Sequence, residues 1–380
     1  MKFLILNTSY SAYLKRLYAE RPGLAEAPYA EQLRARNDSL FGMADFYSSA
    51  LRSLGHEAHD IHVNNGWMQR AWALEQGLRL GREQRRRFRL RGGLLPWISR
   101  EWRPRFLEKV LAAQIRHCRP DVLLNQAMDG VDPRFLRELK PEVRLLVGQC
   151  AAPLDEGADF GCYDLFLSSL PHFVERFRRL GIPSEFVALA FEPRVREAVP
   201  LPQERDIPVS FVGSLFGFHR ERIRLLEYLC DRSPVQIWGQ GVANLRLLSP
   251  IRRRYQGPAF GREMYQILAR SKIALNHHIG AAGPYANNLR LYEATGMGAL
   301  LLTDWKENLP RLFAPEREAA TYRTPEECGE KIAHYLAREE ERAAVARAGE
   351  ERTLREHTYA QRAAETAKII ERRLSRKAGG

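Results

Sequence analysis

Asn287-Asn288-Leu289-Arg290-Leu291-Tyr292-Glu293-Ala294-Thr295-Gly296-Met297-Gly298-Ala299-Leu300-Leu301-Leu302-Thr303-Asp304 is the stretch whose reading decides the fold. Two amides and a guanidinium open a predicted helix, and a carboxylate follows within a turn. Two glycines and an apolar strand ending in Asp304 come next. A helix start favours anions, because its free N–H groups and dipole point toward them. A carboxylate beside such a site is poorly suited to phosphate but can accept two hydrogen bonds from a ribose diol. Asn287, Asn288, Arg290 and Glu293 together therefore read as a grip on a nucleotide, with sugar and diphosphate held side by side. Thr295, Gly296 and Gly298 read instead as packing positions that bring the helix close to its sheet.

Outward from this stretch, the chain alternates strands and helices, the pattern of doubly wound parallel sheets. Strands are predicted at 2–7, 56–63, 121–125, 144–148 and 164–168. A second series occupies 209–213, 235–239, 273–276 and 299–303. Residues 67–118 read as mostly helical, interrupted near Gly92-Gly93 and Pro96. The proline-rich stretch with Pro193, Pro200, Pro202 and Pro208 reads as a linker. The expectation is an α/β protein with two Rossmann-like domains, 1–195 and 205–355, facing a cleft. A C-terminal helix at 356–380 crosses back to the first domain. Ligands then belong at the carboxyl ends of the strands.

The same stretch is similar to the donor-binding segment of GT-B glycosyltransferases, specifically the CgeB-like (spore-maturation-type) branch of the group 1 enzymes. The resemblance continues through Tyr255-Gln256-Gly257, through residues 265–276, through Asn7-Thr8-Ser9-Tyr10 and through 168–193. It implies transfer of a sugar from a nucleotide-diphosphate donor to an acceptor hydroxyl on a glycan, lipid or protein, without a metal or other cofactor. The rival readings are a sugar-nucleotide epimerase or phosphorylase on the same fold, and a non-catalytic sugar-nucleotide-binding protein. Many retaining members carry two glutamates separated by seven residues. Glu293 matches the second, but Tyr285 stands at the first, which withdraws support for a retaining mechanism while leaving ribose binding intact.

Further site candidates follow from loops after strands. Gly213 and Ser214, with His219 and Arg222 beyond them, form the first strand-to-helix turn of the second domain, where the resemblance implies diphosphate contacts; Arg220 is the alternative. Trp238 and Gly257 lie after later strands, where the nucleobase is expected. The acid–base group is expected from the first domain, with Asp129 and His172 as leading candidates and Asp132, Gln149 and residues 8–10 behind them. His277-His278 has no carboxylate in sequence to complete a metal site.

Composition bounds the rest. At 380 residues with 45% hydrophobic content, the chain can bury two cores. No apolar run reaches membrane-span length, and residues 1–10 read as a first strand, not a signal peptide. Five scattered cysteines fit reduced thiols in the cytoplasm. The net charge of +13 suits anionic small molecules or an anionic membrane face, and no motif for specific nucleic-acid binding accompanies it. The basic run 82–91, with Arg85-Arg86-Arg87, beside Leu94, Leu95, Trp97, Ile98 and Trp102, is read as a solvated helix end. Peripheral contact with the inner membrane face, or with an anionic acceptor, is the functional alternative.

Overall fold

A computed structural model describes residues 1–378 apart from 80, 82, 92–94, 153, 155, 156, 158 and 218; of residues 87–91, 95–100, 281 and 378 it describes the backbone only. In chain order the first eight strands are β1 (Lys2–Asn7), β2 (Glu57–His62), β3 (Gln84–Arg91), β4 (Leu95–Trp102), β5 (Val122–Asn125), β6 (Leu145–Gln149), β7 (Leu165–Ser168) and β8 (Ser184–Phe186). Six follow: β9 (Ile207–Val212), β10 (Val235–Trp238), β11 (Tyr255–Gly257), β12 (Ser271–Asn276), β13 (Leu300–Asp304) and β14 (Ala320–Tyr322).

The strands form two six-stranded parallel sheets, ordered β2-β1-β5-β6-β7-β8 and β11-β10-β9-β12-β13-β14. Their sequences explain this. Phe3-Leu4-Ile5-Leu6 and Leu300-Leu301-Leu302 are apolar at successive positions and buried on both faces, as strands covered by helices on each side must be. Each sheet reverses its winding once, between β1 and β5 and between β9 and β12. Those are the switch points where an open parallel sheet leaves a crevice.

One expectation fails. Residues 67–118 are not mostly helical: helix Gly66–Glu75 is followed by the antiparallel hairpin β3–β4 and then helix Pro104–Cys118. The period-two alternation Arg87-Phe88-Arg89-Leu90-Arg91 carried the strand signal, but its density of charge hid it. Arg85 and Arg86 are exposed, and Arg85 lies 3.7 Å from Glu101. Trp102 is no exposed aromatic; its ring stacks on Phe106 at 5.8 Å and meets Trp67 edge-on at 5.7 Å. Arg82, Gly92, Gly93 and Leu94, and the side chains of Arg87, Leu95, Trp97 and Ile98, lie outside the described residues.

The chain returns to its beginning. Phe191 N donates to His357 O and Tyr359 N to Phe191 O, so the two inter-sheet crossings run side by side. Helix Tyr359–Ala378 then packs on helix Phe46–Ser53, with Tyr47 Oη 2.6 Å from Thr366 Oγ1. Gly296 permits close approach here: a Cβ would lie 2.5 Å from the Phe191 ring.

Candidate functional site

A buried polar constellation surrounds the switch point of the second sheet. Arg222, on helix Arg220–Cys230, donates from Nη1 to Ser214 O at 3.2 Å and from Nη2 to His277 O at 2.7 Å. It thus joins the loop after β9 to the loop after β12. Its guanidinium lies over the Phe211 ring and is buried, so its pKa falls to about 10; Asp304 and, from the first domain, Tyr10 favour its charge, whereas nearby Arg290 opposes it. Ser214 Oγ lies 2.9 Å from His219 Nε2. Burial and the Arg222 cation push the His219 pKa down to about 4, so at neutral pH it is an uncharged hydrogen-bonding group.

Glu293 is buried on helix Arg290–Gly296. Its Oε2 lies 2.9 Å from Arg290 Nη1, and Tyr265 Oη is 3.5 Å from its Oε1. Burial pushes the carboxyl pKa up, and Arg290 and Tyr265 act against that. Arg290 Nη2 points to Met264 Sδ at 3.2 Å. Asn288, just before the helix, donates to Asn276 Oδ1 at 2.7 Å and accepts from Leu291 N at 3.3 Å. Asn287 faces away from this group. Its Oδ1 accepts from Ser169 Oγ at 2.6 Å and its Nδ2 donates to Ala151 O at 3.3 Å, both in the first domain.

A pair that the sequence did not single out lies beside Arg222. His278 is buried, and both its N–H and its Nδ1 reach Asp304 Oδ1, at 2.9 and 2.7 Å. Burial pushes the Asp304 carboxyl up, but His278 and His277 outweigh it and hold the group well below the usual carboxylate range. The carboxylate fixes Nδ1–H on His278 and leaves Nε2 to act outward. His277 is locked differently: Tyr322 Oη donates to Asn276 O, so His277 Nδ1, 3.0 Å away, is the donor to Tyr322. The signal was Asp304 itself, at the end of the strand beside β12; in the sequence the two histidines had no carboxylate nearby to draw attention to it.

Arg222 Nε, Arg290 Nε and His278 Nε2 are buried without hydrogen-bond partners among the described residues. Buried polar atoms are ordinarily satisfied, and these three are exceptions. Among the described residues no cluster of three or more His, Cys, Asp or Glu could hold a metal ion.

Three glycines shape the rim. Gly213 N donates to Trp238 O, and Gly239 N to Gly257 O. Gly239 has φ 150°, and a Cβ there would lie 1.7 Å from Gly213 O. Trp238 is buried at the end of β10, whereas a Cβ at Gly257 would meet open space.

Across the cleft the first domain presents Tyr10, 65% exposed beyond the end of β1. Asp129 is exposed in the turn after β5 and its charge is felt at Cys150. Asp132 caps a helix by accepting from Arg134 N at 2.8 Å, and Gln149 accepts from Gln126 at 2.8 Å. His172 stacks on Tyr285 of the second domain at 5.4 Å, with Nδ1 buried without a partner among the described residues and its pKa lowered by burial.

Residues 220–368, which include this constellation from Arg222 onward, match the family model described as glycosyl transferase-like. The chain carries a glycosyl transferase-like region on a GT-B fold. It shares its fold with Anabaena Alr3699/HepE in complex with UDP-glucose: 14% identity, TM-score 0.60, covering 98% of this chain and 99% of that one. Similar likenesses are AviGT4, a glycosyltransferase involved in avilamycin A biosynthesis (13%, 0.57, 99% and 98%), and sucrose-phosphate synthase from Thermosynechococcus elongatus (10%, 0.57, 98% and 99%). At such identities the likeness speaks to fold alone. No curated protein matches the sequence.

Proposed function

We propose that the enzyme moves a sugar from a nucleoside diphosphate to an acceptor hydroxyl, with the donor held at the carboxyl ends of β9, β10, β12 and β13. The observation that carries this reading is Arg222 bridging the switch point beside buried polar atoms that have no partner among the described residues. Glu293, held in place by Arg290 and Tyr265, takes the ribose diol. Arg222, with Ser214 and His219, takes the diphosphate, and the rim of Gly213, Trp238 and Gly257 takes the base. When the bond between anomeric carbon and phosphate oxygen breaks, the electron pair stays on the diphosphate, where Arg222 offsets the growing charge. The acceptor oxygen bonds to the anomeric carbon and gives its proton to a first-domain base, for which Asp129 and His172 remain the candidates.

The guanidiniums supply the charge that a divalent ion supplies in other transferases, so the reading is metal-independent. The segments 255–276 and 287–304 support the CgeB-like branch. Five free cysteines fit a reducing, cytoplasmic setting.

Thermal shift with a panel of nucleotide sugars tests the donor site: at about one hundred times Kd, the true donor stabilises the fold by roughly 2.7 kcal/mol. Nucleoside diphosphate must then be released only when an acceptor is present, and release must survive excess EDTA. A panel without any stabilising member overturns the donor site; activity lost to EDTA and restored by Mg or Mn overturns metal independence. Binding without release in any acceptor mixture favours a sensor.

A further inference from the structure

Leu247 and Leu248 are 83% and 93% exposed, the most exposed large hydrophobic side chains among the described residues. They are not on a frayed end. Leu245 and Ile251, on either side, are buried in the core of the second domain with Phe211, Leu225 and Leu229. Between those anchors the backbone closes a tight turn, with Ser249 N donating to Arg246 O at 3.1 Å. Arg252 clamps its base, donating to Leu245 O at 2.7 Å and to Arg246 O at 3.0 Å, and Ser249 Oγ donates to Glu227 at 2.7 Å. The protein therefore holds two adjacent leucines outward by a built arrangement, at a cost in solvation that a monomer in water does not recover.

The surroundings are cationic. Residues 243–256 contain Arg246, Arg252, Arg253 and Arg254 and no carboxylate. Glu227 on the adjoining helix pairs with Arg246 and Asp231 at its end with Arg253, while Arg252, Arg254 and Arg232 donate to backbone carbonyls. The Arg246 and Arg253 side chains are 85% and 73% exposed, so their contacts leave them open to solvent. An apolar tip ringed by arginines matches a bilayer with anionic headgroups: leucines enter the headgroup–acyl boundary and guanidiniums meet lipid phosphates. A second copy of the chain fits less well, because a twofold contact through this turn sets arginines against arginines.

We propose that the turn 246–249 docks the enzyme on an anionic membrane surface. This site is separate from the hairpin β3–β4 and independent of the donor reading.

The test is sedimentation of the full chain with phosphatidylcholine vesicles, with and without about one third phosphatidylglycerol, at low and high salt. The parent protein should sediment only with the anionic vesicles and be released as salt rises. Leu247→Ser with Leu248→Ser should lower the bound fraction about tenfold or more, while thermal unfolding stays unchanged because neither side chain packs on the core. Arg246→Gln with Arg253→Gln should abolish the preference for anionic over neutral vesicles. Equal sedimentation of the leucine variant and the parent overturns the proposal, as does a parent that ignores anionic vesicles. Loss of binding confined to an Arg85→Gln, Arg86→Gln variant would assign docking to the hairpin instead. A parent dimer that the leucine variant converts to monomer, without vesicle binding, would assign the leucines to a second copy.

Discussion

Glu293 and Arg222 show how little the identity of a residue says until its partners are known. Both were legible in the sequence as donor-site candidates, but not the division of labour around them. Arg290, read as a phosphate contact, lies against Glu293 and Met264, so its first effect is to favour the charged carboxylate against burial, which raises its pKa. Glu293→Gln keeps the side-chain shape and removes the charge. It should weaken nucleotide-sugar binding by about 1.5–3 kcal/mol, the range for hydrogen bonds to charged groups, as read by calorimetry. Unchanged affinity would remove Glu293 from the ribose site. Arg222→Lys keeps the charge but cannot span Ser214 O and His277 O from one planar group. Its loss of affinity should be large for a nucleoside diphosphate and small for the bare nucleoside, since the proposed contact is to phosphate.

At the scale of elements, backbone geometry and burial decide what can be changed. Gly239→Ala sets a Cβ against Gly213 O at a φ of 150°, so the loops after β9 and β10 must separate. At least about 2 kcal/mol of stability should be lost, seen as a fall in Tm, together with nucleotide affinity. Asp60, in β2, accepts from Asn7 Nδ2 at 3.0 Å and from Ser48, and burial raises its pKa to about 6. A carboxyl whose pKa is raised on folding stabilises the fold below its unfolded pKa, and that contribution disappears as pH rises through the folded value. Relative to Asp60→Asn, which cannot titrate there, the parent should lose roughly 2 kcal/mol between pH 4 and pH 7. Urea unfolding of both proteins across that range measures it, and parallel pH profiles would refute it. The missed hairpin belongs to this scale too: in 84–91 arginine alternates with glutamine, phenylalanine or leucine over part of its length, and charge density alone does not separate a polar strand from a polar helix.

At the scale of the whole molecule, the domains touch through the loop that leads into the Glu293 helix. Asn287 reaches Ser169 and Ala151, and Tyr285 stacks on His172. Asn287 was read from sequence as a donor contact; in the structure both ends of its amide bond the first domain. Asn287→Ala should therefore leave nucleoside diphosphate affinity within about twofold while lowering turnover with acceptor, because the two half-sites are no longer held in register. Small-angle scattering should show a wider distribution of domain separations. A large loss of diphosphate affinity with unaltered scattering would return Asn287 to the donor site.

The amino-acid sequence by itself determined the two parallel sheets, because unbroken apolar runs such as Leu300-Leu301-Leu302 need helices on both faces, and it marked Glu293 and the Gly213–Arg222 turn as local patterns. Only the tertiary structure decided that Asp304 orients His278 across 26 residues, that Arg222 reaches His277 across 55 residues, and that the Asn287 side chain bonds the other domain. Those pairings arise where neighbouring strands end in space. A strand pattern records which faces are buried, but not which strand lies beside which.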